Sequence, residues 1–248
     1  MAMQSPAAAV ASPQMARHLA RPQETPPLAP GDHLSRAEFE RRYAAHPDIK
    51  KAELIEGVVF MPSPVRFDRH AAPHLALAAW AGVYLASTPG VHAGDNATVR
   101  LDNQNEPQPD LLLRIDAAHG GRSTVAPDDY IEGAPELVVE VAATSANYDM
   151  HDKKLVYARN GVPEYLVLLT FERTVHWFVL EDGEYVAQQA DAAGVLRSRV
   201  FPGLWLDVDA LLAQDMAKLL SVLQQGLAAP EHAAFVAKLN PPDEAAAS

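Results

Sequence analysis

Residues 135–143 read Pro-Glu-Leu-Val-Val-Glu-Val-Ala-Ala. The run is short, rich in β-branched residues and almost continuously apolar. That is the pattern of a strand covered on both faces, so it predicts a central strand of an α/β sheet. Glu140 interrupts it. Side chains alternate along a strand, which sets Glu140 on one face with Val138 and Ala142. An unpaired carboxylate in such a place is costly or stays protonated. Two readings fit: Glu140 is paired with an Arg or Lys or lies near the strand's exposed end, or it serves catalysis or holds a ligand.

Working outward, Pro109-Asp110-Leu111-Leu112-Leu113 begins another strand, with Pro109 holding the chain extended before Asp110. Alone, Asp110 reads as a boundary residue. With Glu140 on a second strand, it suggests a two-carboxylate site for a hard divalent cation, which prefers oxygen ligands and relieves repulsion between adjacent acids. Downstream, a helix is expected over 148–160, with Gly161 at its C-cap. It places Asp149, Lys153 and Tyr157 on one face. An Asp149–Lys153 pair on a solvated helix contributes little. The other reading turns Lys153 toward the two carboxylates, where it would orient a water and offset charge on a phosphate transition state.

The rest of the chain supports one α/β domain. Ser35 and Glu38 predict a capping box for the helix Arg-Ala-Glu-Phe-Glu-Arg-Arg-Tyr-Ala-Ala-His that follows. ELIEGVVFM (53–61) reads as a strand, with Gly57 permitting a kink, and 70–86 as a buried helix with Pro73 in its first turn. NATVRL (96–101) and PDLLLRI (109–115) read as strands, and 116–133 as a loop. Residues 164–170, 174–180 and 184–189 form an antiparallel meander, with a Glu-Asp-Gly turn at 181–183. Helices at 207–223 and 230–239 close the fold. Residues 1–32 are Pro- and Ala-rich without aromatics and read as a disordered tail, 33–240 as a single domain, and 241–248 as a loose tail.

The 248 residues carry 20 basic and 32 acidic side chains, a net charge of −12. The tail's charges cancel, so the acidity belongs to the folded part, which argues against non-specific coating of nucleic acid. The absence of cysteine removes disulfides, zinc ribbons and thiolate chemistry, and fits a cytoplasmic, reducing location. No apolar segment approaches a membrane span, and Gln4, Ser5, Pro6, Ser12 and Pro13 break up any signal-peptide core. GxGxxG, Walker A and GxSxG motifs are absent. His70 and His74 have the spacing of a helical metal pair but no HExxH context, and packing or capping is the expectation for them. His176 and Trp177 read as strand residues.

Several segments in order resemble the Uma2 family of restriction-endonuclease-like proteins, in the PD-(D/E)XK nuclease superfamily. They are Glu53-Leu54-Ile55-Glu56-Gly57, Met61-Pro62-Ser63-Pro64, His70, Pro109-Asp110 and Pro135 to Val141. Tyr148-Asp149, Lys153, Tyr157, Gly161 to Tyr165 and Phe201-Pro202-Gly203-Leu204 continue the likeness, which spans roughly residues 35–215. The resemblance implies a restriction-endonuclease-like mixed β-sheet core flanked by helices, here with an added meander. It also implies that Asp110 and Glu140 hold Mg²⁺ or Mn²⁺ and that Glu53 supports the metal or water. Lys153 is then the catalytic lysine, standing in from the following helix for the E-x-K lysine that Ala142 replaces.

The function expected is therefore a metal-dependent endonuclease acting on DNA, with a homodimer suited to cutting both strands. The rival is a non-catalytic binding or regulatory module on the same fold, favoured by the acidity and by Ala142. A hydrolase of a small phosphorylated substrate is a third reading.

Overall fold

The computed structural model describes residues 24–240. In chain order its first half holds α1 (Arg36–Ala45), β1 (Glu53–Ile55), β2 (Val58–Phe60), α2 (Ala72–Ala86), β3 (Val91–Asp95), β4 (Val99–Arg100) and β5 (Leu111–Ile115). The middle adds β6 (Thr124–Val125), β7 (Ile131–Glu132), β8 (Leu137–Ala142), α3 (Ala146–Tyr148) and α4 (Lys154–Arg159). The remainder comprises β9 (Glu164–Leu169), β10 (Thr174–Glu181), β11 (Glu184–Ala187), β12 (Val195–Arg197), β13 (Trp205–Asp207), α5 (Val208–Ala213), α6 (Met216–Leu227) and α7 (Pro230–Leu239). π-Helical turns at Phe67–Ala71 and Asp149–Lys153 lead into α2 and α4.

The main sheet runs β11-β10-β9-β8-β5-β3 and is antiparallel except for the parallel β8–β9 pair. It is a mixed sheet flanked by helices, with β9, β10 and β11 as the meander. The 135–143 run lies in its interior, and alternation sorts its side chains as expected. Leu137, Val139 and Val141 join Trp80, Tyr84 and Trp177 in the larger core cluster. Val138 and Ala142 pack on the other face with Tyr157, Tyr165 and Val167. Both faces are covered, which is why the strand tolerates almost no polar residue. Among the described residues no helix is long and apolar enough to cross a membrane.

Several boundaries differ from expectation, each for a local reason. ELIEGVVFM is a hairpin, not one strand: Glu56 and Gly57 have φ of 53° and 73°, the left-handed pair of a tight turn. The expected 148–160 helix is broken by the π turn at 149–153. The expected 207–223 helix is divided at Gln214, whose φ is 55°. β3 was not read from the sequence, and NATVRL contributes only the two residues of β4. The folded part also begins before residue 33. Leu28 is buried with Phe39, Ala52, Leu54 and Val59, Gly31 N–H donates to Val59 O at 2.8 Å, and Arg41 donates to Thr25 Oγ1 at 2.9 Å. One apolar anchor and these bonds order a Pro-rich strap. Residues 1–23 and 241–248, the bulk of the two expected tails, lie outside the described residues.

Ser35 caps α1 by accepting from Glu38 N–H at 3.4 Å, but the box is half-formed, because Glu38 turns to Arg41 and Arg42 at 2.7 Å each.

Candidate active site

The β5–β8 register pairs Leu111 with Val139. One step further along the same register, Asp110 stands across from Glu140, and residues directly opposite in an antiparallel pair share a face. Both side chains are buried. Asp110 Oδ2 accepts from Val141 N–H at 2.8 Å and from His70 Nε2 at 3.1 Å, and Lys51 Nζ lies 3.4 Å from Oδ1. Burial opposes ionisation of Asp110. His70, Lys51 and the Val141 N–H outweigh it and hold the carboxyl well below the usual range.

Lys153 reaches the same place from the π turn. Its Nζ donates to Glu140 Oε1 at 3.0 Å and to Glu53 Oε1 at 2.9 Å, and lies 3.7 Å from Asp149 Oδ1. Tyr157, one turn into α4, donates its hydroxyl to the same Glu140 oxygen at 3.0 Å. Glu53 is fixed by Gln108 N–H at 2.7 Å, since the stretch before Asp110 pairs with β1 through the Leu54–Glu106 bridge. Desolvation works against the Lys153 ammonium, but the charges of Glu140, Glu53 and Asp149 raise its pKa well above the usual lysine value. Burial pushes the Glu140 carboxyl up to about 8 against the pull of Lys153, with Asp149, Asp110 and Glu53 repelling its charge. Asp149 is raised too, by burial first.

All four residues singled out from the sequence thus meet at one end of the sheet. Glu53, Glu140 and Lys153 bond directly, and Asp110 faces Glu140 from the neighbouring strand. The Asp149–Lys153 pair is buried, not solvated, which settles which way that helix face turns. Sequence reasoning missed three participants. His70 was expected to pack or cap but contacts Asp110, because the π turn before α2 swings it inward. Lys51 sits two residues before Glu53, so alternation in the extended entry to β1 could have placed it on the same side. Tyr148 stacks on Phe60 at 4.3 Å, and its buried hydroxyl has no hydrogen-bond partner among the described residues. His74 also lies close: its Nε2 is 2.9 Å from both Asp95 Oδ1 and Asp110 O, which accept from it.

The donor set fits a hard divalent cation. Two carboxylates occupy facing positions, burial and like charge raise the Glu140 carboxyl, and a bound cation would relieve that repulsion. Among the described residues no three His, Asp or Glu side chains form a ready-made cage, so water and phosphate oxygens would complete the shell. Two surface hollows, one beside Glu56 and Asn103 and one beside His92 and Arg114, lie elsewhere and include none of these side chains.

Fold and site together define a mixed-sheet α/β domain with a carboxylate–lysine cluster at one end of its sheet. The Uma2 family, described as "Putative restriction endonuclease", matches residues 36–209, and the chain belongs to it. A crystal structure from Anabaena variabilis, described as "a putative nuclease belonging to DUF820", is similar with a TM-score of 0.49 and 16% identity. The similarity covers 65% of this chain and 89% of that one. No curated protein matches the chain.

Proposed function

We propose that this chain is a Mg²⁺-dependent endonuclease, also served by Mn²⁺, that hydrolyses DNA phosphodiester bonds. The observation that carries the reading is the convergence of Asp110 and Glu140, on facing strand positions, with a lysine ammonium held between Glu140 and Glu53. Family membership supports the nuclease class.

In this reading Asp110 and Glu140 hold the cation. A bound divalent cation supplies an activated water and offsets charge on the scissile phosphate. Lys153 stands beside the same carboxylates, where its ammonium orients the attacking water and stabilises negative charge developing on phosphate oxygens. Glu53 positions Lys153, fixed in turn by Gln108 N–H. Tyr157 directs the Glu140 carboxyl, and His70 directs that of Asp110.

A second reading, a nuclease-fold module without hydrolysis, draws on the −12 charge and on Ala142 at the usual lysine position. One assay separates them: supercoiled plasmid incubated with the full chain and Mg²⁺ or Mn²⁺, beside Glu140→Gln prepared identically. Nicked or linear product that requires the cation and falls about a hundredfold or more in the variant is the expected result. Equal activity in both preparations contradicts the site, and inactivity of both favours the module.

A further inference from the structure

We propose that Phe67 and Phe171, with Arg66 and Arg69, form a surface that binds unpaired DNA bases beside the candidate active site, an inference that rests on the nuclease reading above. The π turn sets the geometry. Ala71 N–H donates to Arg66 O at 3.1 Å and Ala72 N–H to Phe67 O, five residues apart. π-Helical turns recur at functional sites because the extra residue re-aims side chains. Here the turn directs His70 inward to Asp110, while Phe67 stays 74% exposed.

Arg69 of the same turn lays its guanidinium 4.8 Å from the centre of the Phe171 ring and donates to Thr170 O at 3.5 Å. Thr170 N–H donates in turn to Ala142 O at 2.9 Å. Phe171 therefore projects just beyond the ends of β8 and β9, the end of the sheet that carries Glu140 and Asp110. It is 50% exposed, and Val65 beside the turn is 66% exposed. Single exposed apolar residues are ordinary, but two exposed rings, one with an arginine already on one face, at a candidate phosphodiester site match the chemistry that grips single strands.

The charge of the chain selects the occupant. With −12 overall, the affinity that duplex DNA draws from many neutralised phosphates is in short supply. Stacking does not need that charge, and every base has a face to offer. In a duplex those faces are already stacked on one another, so open rings meet bases only where strands are unpaired or splayed. Arg66 and Arg69 then contact the local phosphates.

The test is fluorescence anisotropy of a labelled single-stranded oligonucleotide and its matching duplex, with the full chain in EDTA so that nothing is cleaved. The single strand is expected to bind more tightly. Phe67→Ala and Phe171→Ala should each weaken it about tenfold, with Phe67→Tyr retaining affinity and far-UV circular dichroism unchanged. Equal binding of both substrates, or single-strand binding indifferent to both alanine variants, overturns the proposal. Ring-dependent binding by a wild type that leaves plasmid intact supports the surface and removes the nuclease reading. Metal-dependent cleavage with ring-independent binding does the reverse.

Discussion

Replacing Lys153 with methionine keeps most of the buried stem and removes the ammonium that lies 2.9 Å from Glu53, 3.0 Å from Glu140 and 3.7 Å from Asp149. All four side chains are buried. Deleting one partner of a buried ion pair costs about 3–5 kcal/mol, because the charge left behind is neither solvated nor compensated. In a domain of this size 1 kcal/mol moves Tm by about 2–4 °C, so the variant should melt about 6–20 °C lower. The deficit should also depend on pH. Burial raises the Glu140 carboxyl to about 8, so its own share of the loss grows as pH rises toward that value. Its raised folded pKa means that stability declines as pH rises from the unfolded value, near 4.5, toward 8, and levels off above that. Without Lys153 the carboxyl moves higher still, so the variant keeps losing stability where wild type has levelled off. Differential scanning calorimetry in EDTA at about pH 6 and about pH 9 measures both effects. A Tm change under about 2 °C at both pH values would refute the reasoning, since it would leave Lys153 solvated and unpaired.

Glu106 is buried beside Glu40, and among the described residues no donor reaches either of its carboxylate oxygens. Burial first, then Glu40, pushes its carboxyl up to about 8, so it destabilises the fold as pH rises from its unfolded value toward 8. Glu106→Gln should therefore match wild type near pH 5 and gain on the order of a few kcal/mol near pH 9, read as a higher urea midpoint. Parallel pH profiles would contradict this. His70→Ala removes a partner of Asp110 without touching Glu140 or Lys153, and residues of that kind typically tune metal affinity or activity by about 10–100-fold. A loss in that range, measured by plasmid cleavage against Mg²⁺ concentration, is expected, and unchanged metal dependence would place His70 outside the site.

Much of this site was legible because buried carboxylates are conspicuous in an apolar strand. Glu140 could be assigned to a face from alternation alone, and Asp110 was suggested by a proline-led strand start. What joined them was register, which depends on hydrogen bonding between β5 and β8 and leaves no trace in either segment. Lys153 was legible as a helix-face residue but not as a buried one, because the i, i+4 spacing to Asp149 is the same on a solvated helix. The two π turns were invisible for a similar reason: one extra residue in a turn changes where His70 and Lys153 point without changing the pattern of apolar residues. The β1–β2 hairpin was hidden by an unusual turn residue, Glu56, at a position where glycine or asparagine would have signalled the reversal.

The facing carboxylates are the root of the account, and the measurement that tests them most directly is a Mn²⁺ titration followed by electron paramagnetic resonance. The wild-type chain should remove free Mn²⁺ signal as it binds the ion, competitively with Mg²⁺. Asp110→Asn and Glu140→Gln should each lower that affinity by about tenfold or more. Binding that ignores both site variants, or no binding by wild type, would contradict the claim that Asp110 and Glu140 form a cation site.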